Sequence, residues 1–341
     1  CIISGAGLVY FMCDHFMYKE YGEHGILEST FFVAFPAGII GARIWYCIGE
    51  NVPIQNWIRI WEGGLTILGG AIMGIVVGVL WFLWRNKKYS IWVAVDCIVP
   101  TILIAQAVGR FGNFFNCEVH GLEASIDSFK WLPEIIRNNM TYSSTQGFAS
   151  EGMMYVPLFF IEGLVNFFGY FFIAHFIGKK LRKVLEPGDL AVAYVIWYGM
   201  TRVILEPFRD PSFNMGQNGY WSWMWGLIFV FAGALVIIGN HVVRYILKKS
   251  KDNYVVLKGD KTLSTIEFIS FSVVGIVLIY SAIQLMKMNE FTSKIGFDGF
   301  NIGIMLLVLG CSVLIFDVPA IFRYIEVVKF DASKTSGDIN D

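Results

Sequence analysis

The sequence predicts an all-α fold: a polytopic transmembrane helical bundle of about nine spans, a seven-span core followed by a two-span C-terminal extension. Three observations carry this. Hydrophobic residues fill 56% of the 341 positions and charged residues only 16%, against about a quarter charged in soluble domains. Apolar runs of about 20 residues, the length that crosses a bilayer as a helix, recur along the whole chain and are bounded by charge clusters. Lysine and arginine are divided unevenly between alternate connections, the asymmetry that orients membrane proteins. Such a composition excludes a soluble domain. A net charge of −1 says little in such a chain, where the information lies in how charge is divided between connections, and nucleic acid is not implied.

The apolar runs place the spans at approximately 1–17, 29–48, 62–84, 90–115, 153–177, 188–206, 220–240, 264–286 and 299–322. Each is expected to be helical, because lipid gives backbone N–H and C=O groups no outside partner. The first run is shorter than a full crossing and opens on Cys1, which predicts a leading segment before it. Four divisions follow: a membrane core over 1–240, a basic connection over 241–263, the two-span extension over 264–322 and a tail over 323–341. Between the fourth and fifth spans, Trp131, Leu132, Ile135 and Ile136 recur at helical spacing, which suits either a short helix in the headgroup region or a loop packed on the span ends.

Of the 26 lysines and arginines, 17 fall in connections on one side, 6 on the other, and Arg43, Arg110 and Arg202 stay within spans. Positive residues favour the cytoplasm, so the rich side is expected inside, with the C-terminus there and the N-terminus outside. The six cysteines show no CxxC or His/Cys metal spacing, so neither a disulfide framework nor a metal centre is expected.

The three arginines within spans mark where chemistry is expected, since a guanidinium in hydrocarbon costs at least about 2.5–3.5 kcal/mol and normally faces a polar cavity. Arg110 lies in the densest polar and glycine run, Gly109 to Gly121. Asn113 and Asn116 follow it at three-residue steps and share its helix stripe. Arg202 and Glu206 are four apart and can pair, with Arg209 a turn further on. That pair is either purely structural or an arginine fork with donors left for phosphate. Glu162, deep in the fifth span, can offset an arginine, and His120 sits in the same polar segment. With the expected orientation, these groups cluster toward the outer leaflet.

This pattern resembles the prolipoprotein diacylglyceryl transferase family. Its signature is matched by Gly109, Arg110, Gly112, Asn113, Phe114, Asn116, Glu118 and Gly121. Supporting segments follow in the family's order: Gly41 to Arg43, Glu62 to Gly64, Asp96 to Pro100 with Gln106, Pro157 to Glu162, and Tyr198-Gly199 with Arg202, Glu206 and Arg209. The resemblance covers about residues 1–240 and leaves the extension without a role. Two positions depart from it. Leu68 precedes Gly69-Gly70 where the family often has histidine, and Ala6-Gly7 stands in place of an aromatic Tyr-Gly.

The resemblance implies transfer of the diacylglyceryl group of phosphatidylglycerol to the lipobox cysteine of a prolipoprotein signal peptide, at the outer face of a bacterial plasma membrane. It implies a thioether product, release of glycerol phosphate and no cofactor. Arg110 and Arg202 are then expected to stabilise charge on the leaving phosphate. Glu206 is the expected base, with Glu118 and His120 behind it. Arg43, Asn113, Asn116, Glu118, Gly121 and Arg209 are expected to bind substrate. The competing class is an anion or lipid transporter, which polar residues running on to the cytoplasmic side would favour. A scaffold protein is a third reading, and it leaves the glycine and asparagine pattern unexplained.

Overall fold

A computed structural model describes residues 1–59, 64, 66–181, 184–210, 220–251, 260–287 and 299–337. The chain is mostly helical, 78%, and forms a polytopic helical bundle. Two compact units emerge, one of residues 6–101 and one of residues 1–5 with 102–341.

In the first unit, α1 (Ile2–Tyr21) enters from the other unit and is followed by α2 (Glu28–Gly49), α3 (Ile67–Arg85) and α4 (Ile91–Ile98). Its core gathers Cys13, Met17, Ile26, Leu27, Phe82, Ala94 and Cys97. The helices α2 and α3 cross closely, because a Cβ at Gly41 would lie 2.7 Å from the Gly69 carbonyl oxygen. Two connections are joined at Glu23, whose carboxylate accepts from Tyr89 Oη at 2.5 Å and Lys88 Nζ at 3.0 Å. The Tyr89 and then the Lys88 hydrogen bond hold this carboxyl below the usual range.

The second unit starts its helices with α5 (Ile102–Phe115). A compact segment follows, with strand β1 (Glu123–Ser125), the single-turn α6 (Glu134–Asn139), and strands β2 (Tyr142–Ser143), β3 (Gly147–Phe148) and β4 (Met153–Tyr155). β1 pairs antiparallel with β4, and β2 with β3. Then come α7 (Leu158–Tyr170), continued in π winding over Phe171–Lys180, and α8 (Asp189–Leu205). After α9 (Tyr220–Lys251), the extension consists of α10 (Asp260–Met286), α11 (Gly299–Ile315) and α12 (Asp317–Gly337). α5 packs on α7 and α8 on α9, while α11 lies against α8 and α12 against α9.

Among the described residues, six runs are long and apolar enough to cross a membrane: 28–49, 91–115, 158–180, 221–247, 264–286 and 299–326. The other predicted spans fall short for readable reasons. α8 has only 17 residues and carries Arg202, α3 starts at Ile67 rather than 62, and α1 includes Asp14, His15, Lys19 and Glu20. Three boundaries differ from expectation. Residues 153–155 are strand, and the fifth helix starts after Pro157, which has no N–H to donate. The last run turns at Phe316 between α11 and α12, and the predicted tail is helical through Gly337. The amphipathic segment at 129–137 resolves into a turn and α6; Leu132 is buried while Trp131 and Ile135 are exposed. Glu62 and Gly63, and the side chain of Leu68, lie outside the described residues.

The α8–α9 crossing positions the later chemistry. A Cβ at Gly226 would meet the Gly199 carbonyl at 2.9 Å and Arg202 Cβ at 3.2 Å, so only hydrogen fits between the two backbones. Gly226→Leu is expected to cost about 1–3 kcal/mol by overpacking. A lowered unfolding midpoint in detergent checks this; an unchanged midpoint would mean that the helices part freely.

Candidate functional site

The site lies where the C-terminal ends of α5 and α8 meet the N-terminal half of α7. Arg110, in the last turns of α5, places Nε 2.7 Å from Glu162 Oε2. Arg209 reaches the same carboxylate from beyond α8, with Nη2 donating to Glu162 Oε1 at 2.7 Å. One acid therefore holds two guanidiniums, and it is 6% exposed at its side chain. On α8, Arg202 Nη1 donates to Glu206 Oε2 at 3.3 Å, and its Nε donates to Tyr198 Oη at 3.4 Å. Arg110 feels the charges of both Arg202 and Arg209, so the three arginines share one electrostatic neighbourhood. Three guanidiniums against the two carboxylates of Glu162 and Glu206 leave the cluster with one net positive charge.

Local sequence explains the presentation. Tyr194, Tyr198, Arg202 and Glu206 recur every fourth residue and form one stripe of α8 and its 3-10 continuation (Glu206–Phe208). Gln106 Nε2 donates to Tyr194 Oη at 2.9 Å, tying α5 to the base of this stripe. Unspent polar capacity faces the same region. Glu206 Oε1, Arg209 Nε and Gln106 Oε1 are buried without a hydrogen-bond partner.

After α5 the backbone takes positive φ at Cys117 (50°) and Val119 (55°), a costly conformation for a β-branched residue and one that clusters at functional sites. The turn brings Gly121 against two segments. Its N–H donates to the Val156 carbonyl at 2.9 Å, and it bridges antiparallel to Arg209. A Cβ there would lie 2.7 Å from the Phe208 carbonyl oxygen, so glycine is what lets the Arg209 segment close down. Gly121 thus supports Arg209 through backbone contact.

The remaining expected residues have varied placements. Asn113 accepts the Glu118 N–H at its carbonyl, 3.0 Å, and shapes the turn. Asn116 is exposed and donates to Glu118 Oε1 at 3.1 Å. His120 is buried: its Nδ1 donates to the Gly121 carbonyl at 2.9 Å, and its Nε2 lies 2.6 Å from Ser143 Oγ. Its ring stacks on Tyr155, whose phenol is raised above its usual range by burial first and then by Glu123 and Asp210. Arg43, in the other unit, spends its fork on backbone carbonyls of Trp57 (3.0 Å), Gly64 (3.2 Å) and Asn56 (2.8 Å), which makes it a clamp on the connection after α2. Tyr194 was not singled out from sequence, although its place in the every-fourth-residue stripe is a readable signal.

A polytopic helical bundle with long apolar helices and a buried cluster of arginines is an integral membrane protein. Comparison with known proteins makes this specific. Residues 1–239 match the family model for prolipoprotein diacylglyceryl transferase. The phosphatidylglycerol–prolipoprotein diacylglyceryl transferase of Malacoplasma penetrans is 33% identical over 240 residues, taking in 62% of this chain and 64% of that protein. Its Streptococcus pneumoniae namesake is 33% identical over 243 residues, 70% of this chain and 87% of that protein. The enzyme of the same name from Ligilactobacillus salivarius is 33% identical over 207 residues, 59% and 72% of the two chains. The chain belongs to the prolipoprotein diacylglyceryl transferase family, membrane transferases of lipoprotein biosynthesis.

Proposed function

We propose that Arg110, Arg202 and Arg209 receive the phosphate of phosphatidylglycerol, and that Glu206 assists the lipobox thiol that displaces it. The shared grip of Arg110 and Arg209 on Glu162, with Arg202 in the same electrostatic neighbourhood, is the observation that carries this reading. One carboxylate neutralises part of a three-arginine cluster, and the remaining positive charge suits a phosphate monoanion at a depth where little water screens it.

The reaction is a displacement. The cysteine thiol gives its proton to Glu206, whose Oε1 has no hydrogen-bond partner. The sulfur then forms the new bond to the glyceryl carbon, and the carbon–oxygen bond to the phosphate breaks. Glycerol phosphate leaves with the electron pair, and the thioether-linked diacylglyceryl group stays on the peptide. An unperturbed thiol has a pKa of about 8.5, so a base or a positive field is required, and the cluster supplies both. Asn113, Asn116 and Glu118 shape the turn that carries Arg110 into place, and Gly121 seats Arg209. Arg43 acts by holding the connection after α2.

In this reading residues 1–240 are the transferase core and 264–322 an accessory pair of spans, nine crossings in all. The cluster faces outward across a bacterial plasma membrane, and the C-terminus lies inside. The uneven division of lysine and arginine supports that orientation.

The test incubates membranes containing the protein with labelled phosphatidylglycerol and a lipobox peptide. Thioether-linked label on the peptide is the expected result; label that crosses the membrane without product would replace the proposal with transport. Arg202→Lys keeps the charge but loses the planar fork, and is expected to fail in the same assay. Full activity of that variant would mean that charge alone suffices.

A further inference from the structure

The extension lies beyond the segment matched by the family model, yet it buries acidic groups between its own helices. Glu267, on α10, is only 3% exposed, and neither of its carboxylate oxygens meets a hydrogen-bond partner. Ser264 lies one turn before it on the same helix, fully buried, and its hydroxyl is also without a partner. At the start of α12, Asp317 accepts from Ser272 Oγ at 2.8 Å through Oδ2, while its Oδ1 has none. Glu267 feels the charge of Asp317 first and of Asp189 second.

Three described basic side chains on the neighbouring helices have partners elsewhere. His241 on α9 is held by Asp189 of α8 at 2.7 Å. Arg323 on α12 pairs with Glu326 at 3.0 Å and Glu186 at 3.5 Å. Arg244 donates to Asn240 Oδ1 at 2.8 Å and to the Pro187 carbonyl at 2.9 Å. Among the described residues, Glu267 and Asp317 therefore put two acids into a protein interior within apolar helical runs with no ion pair to a protein cation. An isolated ionised carboxylate is costly there, and such a residue is retained where something neutralises it.

The donors are all hard oxygens: carboxylate and serine hydroxyl. Two carboxylates and a hydroxyl offer few ligands and little charge, which suits a small monovalent cation better than a divalent ion, whose sites take about six or more oxygens. We propose that Glu267, with Ser264 and the free oxygen of Asp317, forms a binding site for a small monovalent cation, H⁺ or Na⁺, that joins α10 to α12. The bound cation removes the uncompensated charge. The site is independent of the transferase reading, since none of its residues belongs to the arginine cluster.

The experiment treats the full-length protein in detergent with dicyclohexylcarbodiimide, which reacts with protonated carboxyls in apolar surroundings, and locates the adduct by peptide mass spectrometry. Glu267 is expected to be modified, and the signal to be lost in Glu267→Gln. If the occupant is a proton, sodium chloride and choline chloride give equal modification; if Na⁺ competes for the site, sodium chloride suppresses it. In Asp317→Asn assayed in choline chloride, with Glu267 intact, modification is expected to fall several-fold because the second acid that favours protonated Glu267 is gone. An unmodified Glu267 at every pH, equal modification by a water-soluble carbodiimide, or an undiminished signal in Asp317→Asn would overturn the proposal.

Discussion

Membranes carrying Arg110→Ala are expected to transfer no more than about a hundredth to a thousandth as much diacylglyceryl label as the unaltered protein, the loss seen when one preorganised donor to developing negative charge is removed. The protein itself should survive. Arg110 is 22% exposed at its side chain, and its partner Glu162 keeps the ion pair with Arg209 at 2.7 Å. The variant therefore separates chemistry from folding, and both are measured on the same membranes, by label on the lipobox peptide and by immunoblot of the inserted chain. Unreduced turnover with normal insertion would remove Arg110 from the mechanism.

Glu162→Ala is expected to do the reverse and damage folding and activity together. Removing the acid leaves Arg110 and Arg209, 22% and 8% exposed, sharing a buried space without their common counter-charge. Breaking one side of a buried pair costs about 3–5 kcal/mol, because the remaining charge stays desolvated and unpaired. The unfolding midpoint in detergent should fall by several degrees and transfer should be lost. Glu162→Ala combined with Arg209→Met removes one of the two stranded cations, and is expected to recover part of the stability but not the activity. A single variant as stable as the parent protein would show that water or lipid already compensates these arginines.

Much of the site is legible one helix at a time. Arg202 and Glu206 pair as their four-residue spacing implies, at 3.3 Å. The polar run after Arg110 marks a tight turn, with positive φ at Cys117 and Val119. What could not be read is which acid serves which arginine. Glu162 is identifiable as an acid within a span, but its bond to Arg209 joins residues 47 apart, and nothing local selects that partner. Arg43 shows the same limit from the other side. Nothing local predicts that its donors reach three backbone carbonyls of the connection after α2. His120 is similar: nothing local shows that Ser143 and the Gly121 carbonyl lie at its two ring nitrogens.

The sequence by itself determined that this is a membrane protein of stacked helices, where its apolar runs fall, and which family signature it carries. These are properties of short windows: a run of about 20 apolar residues must become helix in lipid whatever surrounds it. Only the tertiary structure decided how the charges are shared, that strand and not helix precedes Pro157, and that Glu267 and Asp317 are buried with carboxylate oxygens that meet no hydrogen-bond partner among the described residues. Burial and partnership depend on which distant segments pack together, and at membrane depth they decide whether a charged residue is a structural brace or a place for a ligand.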